Sequence, residues 1–402
     1  MQLTKIAQVL IIVLFSISCQ KKEEAPLLAL HVPETLEETV KDTNTITIPL
    51  GLELQKPSAL FLQEKSEAVA KYYQKYIGQS DFSGSFIVAK NGTVIYEDYK
   101  GYADFNSKKE IDASTPIHLA SISKVLTATL VLKLTQAGLV ELDQKVQHYI
   151  PNFPYSQTTV RTLLNHRSGL PHYSRFGETI KGWNSKKLLT NADVLTYLSK
   201  HKFPLLSKNN STFNYCNTNY AILALVIESV TELSYPEAMK KMVFEPLEMN
   251  DSFVIDFPNQ KKEVCQSYKS NYVNYGWDQF DAIYGDKNIY ATPRDLVKFD
   301  LATYSADFLS AALWEEALKG YSYEKKGQKN YGLGIRIREW ETGQKVHYHN
   351  GWWHGNTTSY TTLKNDTIVI VALANKYTQK TYKAMKLASL FGDYPFELEE
   401  TP

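Results

Sequence analysis

The sequence predicts a mixed α/β fold of the α+β kind: one antiparallel sheet assembled from both ends of the chain, with a helix-rich segment between them. Three observations lead there. An Asn-Gly hairpin lies near the start of the body, the middle of the chain carries helical patterning broken by turns, and a strand meander precedes a closing helix.

In chain order, Leu60, Phe61, Val69, Tyr72, Tyr73 and Tyr76 recur at spacings near three and four, which predicts an amphipathic helix over 58–77. The apolar runs 86–89 and 94–96 flank Lys90-Asn91-Gly92, and Asn-Gly between such runs predicts two antiparallel strands joined by a tight turn. Helices follow at 125–134, nearly apolar all round and so buried, at 191–198 and at 219–230. Strands are then predicted at 334–338, 344–349, 359–364 and 367–374, the last two meeting at Asn365-Asp366, before a final helix over 378–390.

Composition bounds the function. The 402 residues hold 44 Lys+Arg against 43 Asp+Glu, a formal charge of +1, which removes the broad basic field of a nucleic-acid binder. Apolar residues make up 43% and aromatics 12%, enough for a folded body that at this length divides into two lobes. Three cysteines form no disulfide framework, and Cys216 and Cys265 read as free thiols.

Residues 1–18 carry one early charge, Lys5, then an apolar run over 6–15 and small residues at Ser16 and Ser18, the pattern of a secretory signal. The run is too short to span a bilayer. Cys19 after it, followed by Gln20-Lys21-Lys22, resembles a bacterial lipobox with Ser16 in place of the usual Leu, and the resemblance implies lipidation at Cys19 and a lipid-anchored envelope protein; Ser16-Ile17-Ser18 also fits ordinary signal cleavage. Residues 19–55 mix charges, prolines and threonines without a sustained period and read as a tether.

Chemistry gathers at three places. Ser121-Ile122-Ser123-Lys124 stands where an extended segment meets the buried helix, so Ser121 and Lys124, three apart, share one face and can touch. A serine hydroxyl needs a base, and a lysine that gives up its charge can be that base. Tyr215-Cys216-Asn217 puts a phenol and a carboxamide at a helix entry, and His349-Asn350-Gly351 ends a strand before Trp352. Each pattern recurs elsewhere: Ser199 with Lys202, Ser322 with Lys325, Tyr272 with Asn274, Tyr348 with Asn350, and Lys90 with Gly92. Their order along the chain is what separates the three.

Taken in that order, S-x-x-K at 121, Y-x-N at 215 and H-x-G at 349 resemble the serine beta-lactamase-like family of class C beta-lactamases, DD-peptidases and related esterases. Leu163-Leu164-Asn165-His166-Arg167-Ser168-Gly169-Leu170-Pro171 and Tyr331-Gly332-Leu333-Gly334 resemble it too. The resemblance implies a beta-lactamase/transpeptidase-like hydrolase domain over 56–395, with a sheet lobe from 56–120 and 275–395, a helical lobe from 121–274, and the active site between them. It implies Ser121 as nucleophile, Lys124 and Tyr215 as proton carriers, and Asn217, His349, Asn350, Gly351 and Trp352 as substrate-binding residues. The backbone N–H groups of Ser121 and Trp352 would form the oxyanion hole. It implies an ester or amide substrate, D-peptide or beta-lactam-like, and no metal or organic cofactor.

This sequence departs from the pattern at His349, where many members carry Lys, at Cys216 within Y-x-N, and at Glu248 in the run 246–249. Rival readings are a Cys216 thiol nucleophile, a zinc site of His347, His349 and His354, and a penicillin-binding-type sensor that keeps the fold without turnover. His118, His148 and His166 read as structural or surface residues.

Overall fold

The computed structural model describes residues 44–398 except 325, 326 and 328. The predicted signal segment, Cys19 and most of the tether lie outside them. Within the described residues, helix α1 (Ala59–Tyr76) is capped by Ser58, whose hydroxyl accepts the Phe61 N–H. The hairpin β1 (Gly84–Lys90) and β2 (Thr93–Lys100) turns at Asn91 and Gly92, with φ of 50° and 76°. A left-handed pair is what matches the twist of the flanking strands, and Asn-Gly adopts it at least cost.

The C-terminal third supplies β3 (Lys329–Tyr331), β4 (Arg336–Glu339), β5 (Lys345–Trp353), β6 (Asn356–Leu363) and β7 (Ile368–Ala374). These join the hairpin in one antiparallel sheet of order β2-β1-β7-β6-β5-β4-β3. The last strand of the chain therefore pairs with the first, Ile87 opposite Val371. Both faces of this sheet are covered. Phe86, Val88 and Ile370 pack with Val69 and Tyr73 of α1 and with Leu387 of the C-terminal 3₁₀ helix Lys380–Leu390. Ile87, Val369 and Val371 face a second core that runs without a break into the helical part, through Leu126, Leu130 and Ile222. That double coverage is why β7 reads Ile-Val-Ile-Val-Ala-Leu-Ala with no polar alternation.

The helical part contains α2 (Ser123–Gln136), α3 (Asn191–His201) and α4 (Asn217–Thr231), and α5 (Pro293–Ala302) follows. A small three-stranded sheet, Ile117–His118, Ile289–Ala291 and Phe253–Val254, lies beside α2. Among the described residues no helix is long and apolar enough to cross a membrane.

Three boundaries move from the sequence expectation. The body begins before residue 56: Ile46 donates to the Gly92 carbonyl and is buried, and Leu50, Leu52 and Leu54 pack against the core, so this end of the expected tether is held by apolar contact. Strand β4 starts at Arg336 rather than 334, because Gly334 turns at φ 87° against Ala128 of α2. Strand β5 continues past His349 to Trp353, since residues 350–353 keep pairing with β6.

Candidate active site

The nucleophile candidate is set by a break in regular structure. Strand Ile117–His118 ends, Ala120 turns the chain at φ 48°, and a 3₁₀ turn, Ala120–Ile122, leads into α2. A left-handed alanine costs about 1 kcal/mol, so the surroundings must hold it there. Ser121 faces the cleft half-buried, and Lys124, one turn on, is fully buried with Nζ donating to Ser121 Oγ at 3.1 Å and to the Asp286 carbonyl at 2.7 Å. Its Nζ also lies 5.1 Å from the Tyr215 ring and 5.7 Å from the Tyr220 ring. The i,i+3 contact anticipated from sequence is present; the Asp286 carbonyl, 162 residues away, is the partner no local pattern announced.

Tyr215 is half-buried just before α4, wedged between the His166 ring at 4.3 Å and the Arg336 guanidinium at 4.8 Å. His166 earns its structural reading: its Nδ1 accepts the Cys216 N–H, and burial together with Lys124 and Arg336 holds it well below the ordinary histidine range. The Cys216 thiol points at the Leu170 carbonyl, and burial pushes it up to about 11, which removes the thiol nucleophile as a rival. Cys216 and Cys265 are both free and buried.

A cleft of about 460 Å³ opens over Ser121, walled by Tyr215, Asn217, Arg336, Asn350 and Trp352. Pairing between β4 and β5 ends at Arg336 opposite Tyr348, so beyond Tyr348 no strand among the described residues covers the outer edge of β5. Among the described residues the Asn217 and Asn350 carboxamide oxygens are enclosed without a hydrogen-bond partner, and both residues line the cleft. Gly351 serves closeness: a Cβ there would collide with Thr358 Oγ1 and the Leu119 carbonyl, so only glycine lets β5 lie against the nucleophile turn. Trp352 is 58% exposed at the cleft mouth, whereas Trp353 turns inward to donate from Nε1 to Asp281 at 2.7 Å.

His349 corrects the sequence expectation. It is fully buried behind the wall, its Nε2 on the Tyr331 hydroxyl at 3.1 Å and its Nδ1 on the Asn350 carbonyl at 2.9 Å, and it does not line the cleft. Burial, then Arg336 and Lys124, hold it well below the ordinary histidine range, which disfavours the imidazolium, and its Nε2 contacts the Tyr331 hydroxyl. The cation on the wall is Arg336, with Lys329 beside it. Sequence reasoning missed both; the signal was the Arg336-Ile337-Arg338 alternation in a strand ending at the site. Among the described residues no carboxylate pairs with Arg336, which lies over the Tyr215 and Tyr331 rings.

The repeated motifs find other uses. Ser199 Oγ donates to the Asn152 carbonyl, Ser322 Oγ accepts from Arg167, and Lys325 lies outside the described residues. His347 Nε2 donates to the Leu318 carbonyl and His349 Nε2 meets the Tyr331 hydroxyl, so neither joins His354, whose neighbours are Asp278 and Asp281.

A serine touching a buried lysine at the base of a cleft, beside a phenol and an uncovered strand edge, defines a serine hydrolase of the acyl-enzyme kind. The chain belongs to the Beta-lactamase family, whose model matches residues 69–390. It is similar to Penicillin-binding protein 4* of Bacillus subtilis, 28% identical over 363 residues, 85% of this chain and 79% of that protein. It is also similar to the teichoic acid D-alanine hydrolase of Staphylococcus aureus, 26% identical over 309 residues, 76% and 73% of the two chains. The penicillin-binding protein structure from Bacillus halodurans shares the fold, with a TM-score of 0.70, 20% identity and coverage of 81% of this chain and 100% of that one.

Proposed function

We propose that this chain is an envelope serine hydrolase that cleaves a D-amino-acid ester or amide carrying a negative charge beside the scissile bond. The observation behind it is the Ser121–Lys124 contact beneath a wall that holds the Arg336 guanidinium, which has no carboxylate partner among the described residues. Peptidoglycan-derived peptides and D-alanyl esters of envelope polymers have this chemistry, and the names of the relatives point the same way.

In the first step Ser121 Oγ attacks the carbonyl carbon while its proton passes to Lys124 Nζ, with Tyr215 carrying it on to the departing alcohol or amine. The oxyanion is received by the Ser121 and Trp352 N–H groups, Asn217 and Asn350 accept substrate N–H groups, and Arg336 holds the anion. Water then attacks the acyl-Ser121, its proton returning by the same side chains, which releases the acid and restores the serine. No metal or organic cofactor has a role in these steps. Residues 1–18 direct export, and lipid on Cys19 holds the enzyme at a membrane.

The test is intact-mass spectrometry of the purified chain after incubation with a penicillin, a cyclic amide with a carboxylate. A stoichiometric adduct absent from Ser121→Ala is the expected result. Turnover of a D-alanyl-D-alanine peptide should exceed that of its C-terminal amide by at least about tenfold. Equal rates would remove the anion from the substrate description, and full turnover by Ser121→Ala would remove the nucleophile.

A further inference from the structure

We infer that His118 is a positioning residue that holds Ala120 in its left-handed conformation and so aims Ser121 at Lys124. The inference rests on the reading of Ser121 as nucleophile. His118 itself is 2% exposed and does not line the cleft.

The hydrogen bonds fix its state and its purpose. Asn288 donates from Nδ2 to the carbonyls of Asp281 and Ile283, so its Oδ1 is the atom facing His118 Nε2 at 3.1 Å. Nε2 therefore carries the hydrogen, and Nδ1 is a bare acceptor. That acceptor takes the Ala120 N–H at 3.0 Å, two residues along the same chain. The contact clamps the peptide that enters Ala120, the one residue of the turn with positive φ. The other groups of the turn are fixed by separate partners: the Leu119 N–H donates to the Ile289 carbonyl at 2.8 Å, and the Leu119 carbonyl accepts from Thr358 at 2.8 Å.

Two further observations place the clamp where it matters. Gly351 of β5 abuts Leu119 and Ala120 directly, so a relaxed Ala120 would move the turn against the strand as well as against Lys124. Asn288, the residue that orients His118, sits two positions after Asp286, whose carbonyl holds Lys124. One short segment thus fixes the base directly and the nucleophile through His118. The charged and titratable groups around the ring are Asp281, His354 and Lys287, with Tyr290 edge-on at 5.0 Å.

The left-handed region is disfavoured for alanine by about tenfold or more, and glycine enters it freely. The test follows from that difference. The full chain is treated with a fluorophosphonate, whose phosphorus is attacked by Ser121 Oγ while fluoride leaves and the hydroxyl proton is released with it. Labelling at Ser121 is timed by intact mass, and kcat and KM are measured with p-nitrophenyl acetate.

His118→Leu should slow labelling and lower kcat by about ten- to a hundredfold with KM nearly unchanged, and adding Ala120→Gly should restore most of the rate. His118→Asn, whose Oδ1 falls near the place of Nδ1, should lose less than about threefold. A merely destabilised fold would gain nothing from a glycine, which costs conformational entropy. If His118→Leu does not fold, Asn288→Gly takes its place: it removes the carboxamide, keeps the positive φ of 75° at that position, and should show a smaller loss recovered by Ala120→Gly. Unchanged labelling in these variants, or a loss that glycine does not recover, overturns the inference while Ser121 stands. No labelling of Ser121 in the native chain would take down the nucleophile and this inference together.

Discussion

The two walls of the cleft are built on opposite terms. On the Ser121 side the polar groups are enclosed and matched: Lys124 has two acceptors, His118 two partners, and Ala120 is held at φ 48° by one of them. On the other side they are unmatched among the described residues: the oxygens of Asn217 on α4 and Asn350 on β5 are enclosed without a donor, and Arg336 on β4 has no carboxylate. The difference teaches how reaction and recognition divide here. Groups that must keep one geometry through bond making are packed until they cannot move, and groups that must meet a substrate are left with unmet valences that only the substrate fills.

The largest expected effect breaks the closed wall outright. Ser121→Ala should lower kcat by at least about a thousandfold, and Lys124→Met should come close to it, because residues acting as one unit fail together. The double variant should be little worse than either single one; a multiplicative loss would show that they act separately. On the open wall, Arg336→Leu should raise KM for a carboxylate substrate about ten- to thirtyfold and leave an uncharged ester nearly unaffected. His349→Gln should be far milder towards both substrates, since the histidine meets none of them; equal losses for Arg336 and His349 would return the anion to His349.

Acid should separate the walls as well. Burial depresses His118 and His347 to about 4 each. Between their unfolded value near 6.5 and that folded value, the unfolded chain binds protons that the folded chain does not. Stability is thus complete above about pH 6.5 and falls as the pH drops towards 4, by roughly 3 kcal/mol for each histidine. Melting curves from pH 7 to 4 should show that fall, and His347→Gln should flatten it if the variant keeps the native fold. The smallest effect belongs to Trp352→Ala at the cleft mouth, no more than about threefold on KM with kcat unchanged, because a ring 58% exposed gives up little on truncation.

How much of this was legible depended on how local the cause was. The Asn91-Gly92 turn, the Ser58 cap of α1, and the Ser121–Lys124 contact each arise from residues within four positions of one another, and the chain states them directly. Tyr215-Cys216-Asn217 was found by pattern, yet its support came from His166 and Arg336, which lie 49 and 121 positions away. The strand holding Arg336 was legible and its direction was not, since pairing that stops at Tyr348 is what exposes the guanidinium.

By itself, then, the sequence determined the Ser121–Lys124 contact and the antiparallel sheet closed from both termini, because helix spacing, turn propensity and apolar runs act over a few residues. Only the tertiary structure decided which cation faces the cleft. His349 and Arg336 stand close in sequence and both belong to the site, but one is sealed against Tyr331 and the other opens on water. A histidine taken out of water without a carboxylate partner loses its charge, whereas a guanidinium keeps it, and no spacing of letters reveals which of the two the fold has buried.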